Sequence, residues 1–315
     1  MSAPGTGRLT VGGGQHERPG HRAPHGRSSR NERIAMTRGR ARLRRFLGHR
    51  GGVAGGLIAA LFVLTALLAP WLAPHDPEAM QLGASLAPPS RLHPFGTDSL
   101  GRDVLSQTIY GARISLTIGF VSVGLALLAG VPLGALSGYV GGWLDRLAMR
   151  GVDVLVSFPT ILLAIIVITI FGPGLLNAML AIGIAQVPLY ARLVRGAVLR
   201  VKALDHVSAA RAVGAGEGRI LWRHVLPNCV APVLVQSTLF FATAILSAAY
   251  LGFLGLGAQP PTPEWGTMLS KARDFLRVAP HVSVFPGLTI MLTVLGLNLL
   301  GDGLRDVLDP RAGAA

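Results

Sequence analysis

The chain has 315 residues, half of them hydrophobic, and 29 Arg and Lys against 15 Asp and Glu, for a formal net charge of +14. This apolar and strongly basic composition excludes an ordinary soluble domain. The single cysteine, Cys229, excludes an intrachain disulfide. Basic charge raises nucleic acid as a partner, but 12 of the basic residues lie in the first 50 positions, where attraction to anionic lipid explains them. We therefore expect a membrane protein that contacts lipid and no nucleic acid.

The N-terminal segment 1–50 is predicted to be a disordered, basic cytoplasmic tail. Its first 35 residues are rich in Gly, Pro, Arg and His and show no apolar period. Translation either begins at Met36, which precedes the basic run TRGRARLRR, or the whole tail is genuine. The run RRFLGH resembles a twin-arginine export signal, but the following apolar segment is too long for one. We interpret Arg44 and Arg45 as inside anchors of an uncleaved first helix.

Long stretches without Asp, Glu, Lys or Arg predict six membrane-spanning helices, compared with the roughly 20 residues that cross a bilayer. The stretch 154–191 is too long for one span and contains Gly172-Pro173-Gly174, so it predicts two helices joined by a tight turn. The predicted spans are 51–73, 114–144, 154–171, 175–191, 229–258 and 281–300. The predicted fold class is an all-α polytopic membrane protein.

Basic residues predict which connecting segments face the cytoplasm, because cytoplasmic flanks carry the excess. Arg and Lys number 12 in 1–50, 2 in 145–153, 7 in 192–228 and 2 in 301–315, against 3 in 74–113 and 3 in 259–280. Both termini, including the C-terminal segment 305–315, are therefore expected in the cytoplasm. The segment 74–113 is expected outside it.

The extracytoplasmic segment 74–113 contains the run HPFGTDSLGRDVLSQTIYGARISL. Its two glycines suit turns, Asp98 or Ser99 suits a helix N-cap, and apolar residues from Val104 onward repeat at helical spacing. We expect a short amphipathic helix on the outer membrane surface that leads into the second span. The charged residues either bind a ligand or form a structural salt bridge that holds this elbow, and the salt bridge is favoured. The candidate residues of this motif are Gly96, Asp98, Gly101, Arg102 and Asp103.

The loop 192–228 is too long to be a simple turn and should contain structure. Residues 204–213, LDHVSAARAV, predict a short helix that begins near Asp205, carries small side chains and ends at Gly214. A second piece, EGRILWRHVL, is amphipathic and precedes Pro227 at the start of the next span. Such a helix below the membrane either inserts into a groove of a soluble partner or is an ordinary surface helix.

This loop resembles the cytoplasmic loop of inner-membrane permease subunits of binding-protein-dependent ABC importers. Their pattern is E-A-A, three residues, G, nine residues and I-x-L-P. In this chain Ser208 stands in place of the Glu and His224 in place of the Ile, while Asp205 or Glu217 offers charge nearby. The residues assigned to the coupling loop are Asp205, Ser208, Ala209, Ala210, Gly214, Leu226 and Pro227.

The resemblance extends to the runs HPFGTDSLGRDVLSQTIYGARISL, GLGAQPPTPEWGTML and NLLGDGLRDVLDPR, which are similar to the C-type permease of the dipeptide, oligopeptide and nickel branch. It implies a type I ABC importer permease core over 114–304, in the inner (plasma) membrane. It also implies a homologous second permease as heterodimer partner, two ABC ATPase subunits and an extracytoplasmic solute-binding protein. The run that contains Trp265 would help receive that binding protein, and Trp265 itself either contacts that partner or anchors the run at the membrane interface. Which solute is carried stays open.

Nucleotide chemistry is assigned to the partner subunits, because the two lysines, Lys202 and Lys271, end no G-x-x-x-x-G-K-[ST] loop. The chain is therefore expected to hold no cofactor and no catalytic residue, with ATP and Mg²⁺ on the ATPases. A self-sufficient secondary transporter or channel is the main alternative, but the predicted spans carry only neutral polar groups. These groups line a path or bond neighbouring helices: Ser115, Ser157, Asn177, Gln186, Gln236 and Asn298.

A membrane enzyme is the third class, and the sequence argues against it. No H-E-x-x-H or G-x-S-x-G motif is present, and no two carboxylates are paired at a common membrane depth. The histidines outside the tail show no metal-ligand spacing, so no metal site is predicted. They are His75, His93, His206, His224 and His281.

Overall fold

The computed structural model describes residues 44–308. Most of the predicted tail, including Met36 as a possible translation start, lies outside the described residues, as do residues 309–315. Within the described range the chain is made of helices and connecting turns, with one isolated antiparallel bridge between Thr97 and Asp103. The predicted all-helical class is thus confirmed for this part of the chain.

The helices follow one another along the chain, and residues 73–103 form the longest connection between them. In chain order they are α1 Arg50–Leu67, α2 Ala69–Leu72, α3 Val104–Val140, α4 Gly142–Val156, α5 Thr160–Phe171, α6 Leu175–Lys202, α7 Asp205–Ala212, α8 Glu217–Ile220, α9 Leu226–Phe253, α10 Trp265–Ala272 and α11 His281–Leu308. Residues 44–48 are also helical. Single 3₁₀ turns lie at Leu82–Ala84 and Arg273–Phe275, and a π-helical turn, Leu221–Val225, joins α8 to α9 without a break.

Five helices of the described chain are long and apolar enough to cross a membrane, or six if the bent pair α4 and α5 counts as one. The predicted third span, 154–171, is wrong in its boundaries, because the helix breaks between Ser157 and Pro159 and turns by 91°. The ring of a proline disfavours the helical backbone conformation at the residue before it, which here is Phe158. α5 alone has 12 residues, which rise about 18 Å, less than the hydrocarbon thickness of about 30 Å.

The predicted surface helix within 74–113 is also wrong. Residues 104–113 are the first turns of α3, a continuous helix of 37 residues. Its N-cap is Asp103, whose carboxylate accepts from the Ser106 backbone N at 2.8 Å, and not Asp98 or Ser99. Val104 is fully buried, so this end of α3 lies inside the protein rather than on a lipid surface.

Other helices continue beyond the ends that hydropathy predicts. α6 extends to Lys202, past the predicted end at 191, because its charged residues find partners. Arg195 forms a bidentate ion pair with Asp145 of α4 at 2.6 and 2.7 Å, and Arg192 pairs with Asp153 at 2.6 Å. Helix α11 likewise continues from the predicted end at 300 to Leu308.

The bundle is centred on α3 and α6, which form its most extensive helix contact. Gly130, Gly134 and Gly138 share one face of α3, and this face lies against α6. A Cβ atom at Gly130 would approach Tyr190 Cβ at 2.6 Å, and one at Gly138 would approach the Arg195 carbonyl oxygen at 2.9 Å. Small residues at this spacing let two backbones pack closely, as in membrane helix pairs.

Contacts of α3 with later segments show which parts of the chain lie at each end of the bundle. At one end, the α3 residue Tyr139 contacts Glu217. At the other, the Trp265 indole donates to the Thr108 carbonyl oxygen at 3.0 Å. α3 runs from the second end to the first, and α9 returns. The loop that contains α7 and the segment that contains α10 therefore lie at opposite ends.

Candidate functional site

The predicted helix over 204–213 is present as α7, and one side chain seats it on the bundle. Val207 is fully buried, whereas Asp205, Ser208 and Ala209 are exposed and Ala210 is half-buried. Val207 packs in a hydrophobic cluster with Ala135, Tyr139, Val194, Ala197, Val198, Val201, Ile220, Val225 and Cys229. α7 therefore presents small and polar side chains away from the bundle.

The glycine of the sequence pattern ends α7 with a defined geometry. Gly214 has φ +81°, and its backbone N donates to the Arg211 carbonyl oxygen at 3.0 Å. Ala215 N donates to the Ala210 carbonyl oxygen at 3.1 Å. These two bonds form a Schellman motif, in which glycine takes the left-handed position. The pattern residues Ala210 and Gly214 are thus both parts of one helix stop.

Glu217 ties the loop to α7 and to α3. Arg211 donates to its carboxylate at 2.9 and 3.1 Å, and the Tyr139 hydroxyl donates to both its carbonyl oxygen, at 3.1 Å, and its carboxylate. Lys202 Nζ donates to the Tyr139 carbonyl oxygen at 2.6 Å. Ser208, at the position of the family glutamate, is exposed. Glu217 therefore supplies a carboxylate to this loop from a different position.

The second predicted piece, EGRILWRHVL, is helical and joins α9. Ile220 and Val225 are fully buried, so this face packs on protein. Leu226 is half-buried and Pro227 is exposed. Pro227 lies at the start of α9, directly after the π-helical turn. The pattern residues on both sides of the loop thus flank a continuous helical connection to a membrane-spanning helix.

The motif that contains Asp98 and Arg102 folds into a closed, buried elbow, and the predicted salt bridge is present. Asp98 accepts from Arg102 Nη2 at 2.6 Å and Nε at 2.8 Å. Its carboxylate also accepts from the backbone N of Leu100 and the side chain of Gln107, at 2.8 and 3.0 Å. Arg102 is only 2% exposed. The favoured alternative, a salt bridge within the elbow, is therefore the arrangement present, and the pair is largely buried.

The two glycines of the motif are required by different contacts. Gly96 has φ +74° and Gly101 has φ +72°. A Cβ atom at Gly101 would overlap the Gln81 carbonyl oxygen, and one at Gly96 would lie 2.6 Å from the His281 ring. All five motif residues thus meet in one elbow, as the sequence predicts for a structural turn.

The expectation that the histidines form no metal cluster needs correction. Nitrogen atoms of His75 and His93 and a carboxylate oxygen of Asp103 all lie within 4.8 Å of one another. No sequence spacing pointed to this group, because its members come from three separate segments of the chain. His206, His224 and His281 do not join it.

The start of α10 is anchored by two buried side chains, those of Trp265 and of the N-cap residue Glu264. Trp265 is 0% exposed, so the prediction that its indole lies at the membrane interface is wrong. Glu264 is 1% exposed and accepts from the backbone N of Gly266 and Thr267 at 2.8 and 2.9 Å. Burial raises the pKa of Glu264 from 4.5 to about 7, against the effect of these two backbone bonds.

Stability should therefore depend on pH through Glu264. The folded chain holds this proton more tightly than the unfolded chain, so the stabilisation is complete below pH 4.5 and is lost as pH rises through about 7. A shift of this size corresponds to about 3 kcal/mol. Glu264→Gln keeps an acceptor oxygen for the cap and removes the titration. Between pH 5 and 8 the Tm of the wild type should fall relative to that of Glu264→Gln. The control Glu78→Gln, at an exposed position, should follow the wild type. Parallel curves of Tm against pH for all three proteins would contradict the prediction.

A cavity of about 570 Å³ lies between α5, α6 and α9. Of the six neutral polar residues singled out in the predicted spans, Gln186 lines it, and its Oε1 has no hydrogen-bond partner. The remaining lining is apolar, hydroxylic or aromatic: Thr160, Ile161, Ile165, Leu189, Phe240, Thr243, Leu246, Ser247, Tyr250, Phe253 and Leu254. The cavity opens on a helix face that the described chain does not cover.

Two family models match this chain. One is described as the binding-protein-dependent transport system inner membrane component and matches residues 130–313, more than half of the chain. The chain belongs to this family. The other is described as the N-terminal TM domain of oligopeptide transport permease C and matches residues 37–89. The permease is thus a multi-pass inner-membrane component of an ABC importer. Members of this family work with an ATPase and a binding protein and are generally non-catalytic themselves.

Individual relatives agree with this assignment. The permease is 50% identical to the di/tripeptide transport system permease protein DppC of Pseudomonas aeruginosa, over 84% of this chain and 90% of that protein. It is 48% identical to the glutathione transport system permease protein GsiD of Pectobacterium atrosepticum, over 85% and 89%. An inward-facing structure of the MetNI methionine ABC transporter shares its fold, with a TM-score of 0.52 and 24% identity over 64% of this chain and 97% of that one.

Proposed function

We propose that this permease forms one half of the solute path of an ATP-driven peptide importer, and that α7 transmits the movement of the ATPases to it. The observation that carries the proposal is the geometry of α7. A single buried side chain, Val207, seats it, while Ser208 and Ala209 stay exposed. Small exposed side chains allow close approach of a partner groove.

The connection from α7 to the membrane helices is stiff, which supports its role as a lever. The Arg211–Glu217 ion pair and the Tyr139 hydroxyl fasten the loop to α3. The helical stretch then continues without a break from Glu217 to Phe253. A displacement of α7 would therefore move α9, which lines the cavity, and alternating access follows as a rigid-body movement.

The proposed assembly has a second homologous permease subunit, two ABC ATPases and an extracytoplasmic solute-binding protein. ATP and Mg²⁺ belong to the ATPases, and this chain binds no cofactor. The positive charge of the loop between Arg192 and Asn228 supports a cytoplasmic location for α7 and for both termini. The segment that holds Trp265 and the 74–113 elbow would then face the binding protein.

Short peptides are the proposed solutes, because this chain is about half identical to relatives that are named for the transport of di- and tripeptides and of glutathione. The cavity supports this choice. Its lining combines apolar side chains with the amide of Gln186 and the hydroxyl groups of Thr160 and Thr243. Among residues 44–308, none that lines the cavity carries a carboxylate, imidazole or thiol, the groups that a site for a bare nickel ion would require.

Ala209→Glu tests the coupling role. The side chain is exposed, so the fold should be unaffected, but a buried unpaired charge in the ATPase contact would cost several kcal/mol. We expect the partner permease to stay bound, and co-purification of the ATPases and peptide uptake in proteoliposomes to fall at least about tenfold.

Ala79→Glu is the matched control, because Ala79 is an exposed alanine in the elbow segment at the other end of the bundle. It should leave ATPase association unchanged. Normal association and uptake in Ala209→Glu would show that α7 is only a surface helix.

A further inference from the structure

The elbow between α1 and α3 contains a compact group of nitrogen and oxygen donors that the transport function does not use. His93 Nδ1 lies 3.0 Å from Asp103 Oδ1, and His75 Nδ1 lies 3.8 Å from Asp103 Oδ2. The two imidazole rings are 4.8 Å apart between centroids. Metal–ligand bonds of 2.0–2.1 Å in a tetrahedral site place ligand atoms about 3.3 Å apart. Both His–Asp distances lie near that separation, and one ligand atom from each of the three side chains lies within 4.8 Å of the others.

The surrounding structure positions these donors and leaves one of them unpaired. Asp103 Oδ2 accepts from the backbone N and the hydroxyl of Ser106, at 2.8 and 2.7 Å, so the N-cap of α3 holds the carboxylate and leaves Oδ1 toward His93. The turn from Ser90 fixes His93, whose carbonyl oxygen accepts from Ser90 N at 2.8 Å. His75 Nδ1 is buried and has no hydrogen-bond partner. A buried polar atom without a partner is rare in folded proteins.

An open cavity lies beside the group, on the side of His75. His75 lines an open cavity of about 520 Å³ together with Asp76 and Glu78. These two carboxylates lend negative charge to the entrance, which favours entry of a cation.

We propose that His75, His93 and Asp103 bind a divalent metal ion of the zinc class. Two imidazole nitrogens and one carboxylate oxygen are a donor set that Zn²⁺ accepts, with water completing the tetrahedron. Binding requires the proton that His93 shares with Asp103 to move to Nε2 or to leave. The ion would join three chain segments, the one after α2, the loop before Gly96 and the start of α3. This site lies outside the solute cavity, and the proposal does not depend on the solute.

The test measures Zn²⁺ binding by isothermal titration calorimetry to the full-length permease in lipid nanodiscs, purified without a polyhistidine tag. Asp103→Asn keeps an N-cap residue for α3 and removes the carboxylate, and His75→Phe keeps an aromatic ring against His93. His206→Phe, an exposed histidine on α7, is the matched control. Both site variants should bind Zn²⁺ at least about tenfold more weakly than the wild type and the control.

Two further readouts separate a specific site from scattered histidines. Co²⁺ should give the strong visible absorption of a tetrahedral complex in the wild type but not in the two site variants. Zn²⁺ should raise the Tm of the wild type and of His206→Phe only. Equal Zn²⁺ affinity and equal Tm shifts in all four proteins, or no binding to any, would overturn the proposal and leave the group as a hydrogen-bonded elbow.

Discussion

Gly134→Ala is expected to destabilise the permease by about 2–3 kcal/mol, although alanine is the better helix residue in isolation. A Cβ atom at this position of α3 would overlap the Ala191 carbonyl oxygen and lie 3.0 Å from Arg195 N. Both obstacles are backbone atoms of α6, which cannot rotate away as a side chain can. α3 and α6 would have to separate along their shared face, so the loss should spread to the whole bundle.

Gly124→Ala on the same helix is the matched control. A Cβ atom there meets no other atom within 4 Å, and helix propensity should make this change neutral or stabilising by up to about 1 kcal/mol. The two variants therefore have opposite expected signs. Thermal unfolding in detergent and the yield of folded complex on size exclusion measure both. Equal Tm values would show that the α3–α6 contact adapts to an added methyl group.

Gly214→Val is expected to abolish most transport while leaving the membrane helices folded. Gly214 takes φ +81°, and a β-branched residue in this left-handed conformation costs about 1–2 kcal/mol or more. Nothing lies within 4 Å of an added Cβ atom, so the cost is one of backbone conformation and not of crowding. Relief of this strain opens the Schellman motif, and α7 loses its defined end and its orientation.

Gly214→Asn is the control that isolates the backbone conformation, because asparagine tolerates the left-handed region better than other side chains. We expect it to keep at least half of the wild-type uptake, by a rough estimate from this preference. ATPase association and peptide uptake in proteoliposomes should rank wild type, Gly214→Asn and Gly214→Val in that order. Identical uptake in Gly214→Val and Gly214→Asn would mean that the end of α7 does not affect coupling.

Local signals were sufficient to predict α7 and its end. Asp205 at the start, small residues within and Gly214 after the helix act over a few residues, and the structure places α7 at Asp205–Ala212. The salt bridge between Asp98 and Arg102 was predictable for the same reason, since only three residues separate them in a turn rich in glycine. The role of α7 in coupling stays a prediction.

Hydropathy located the apolar segments but not how each helix begins, breaks or ends. A window average cannot detect that Pro159 breaks the segment 154–171, because the flanking residues remain apolar. It also cannot show that α3 begins at Val104, since Asp103 acts through a hydrogen bond to the helix start. Nor can it extend α6, whose last turns depend on ion pairs with Asp145 and Asp153 of another helix.

Side chains brought together from distant segments were beyond prediction from sequence. Glu217 contacts Tyr139, which is 78 residues away, and Trp265 contacts Thr108 across 157 residues. His75, His93 and Asp103 meet only because the chain folds back between α2 and α3.

The sequence by itself determined the membrane class, the family pattern in the loop 192–228 and the short-range turns, because composition, hydropathy and glycine or proline geometry act locally. Only the tertiary structure decided where α6 and α11 end and that Glu217 supplies the carboxylate of the loop. It also decided that Trp265 is buried and that His75, His93 and Asp103 meet in the elbow. These depend on the packing of helices far apart in the chain, where a side chain's surroundings follow from the fold and not from its neighbours in sequence.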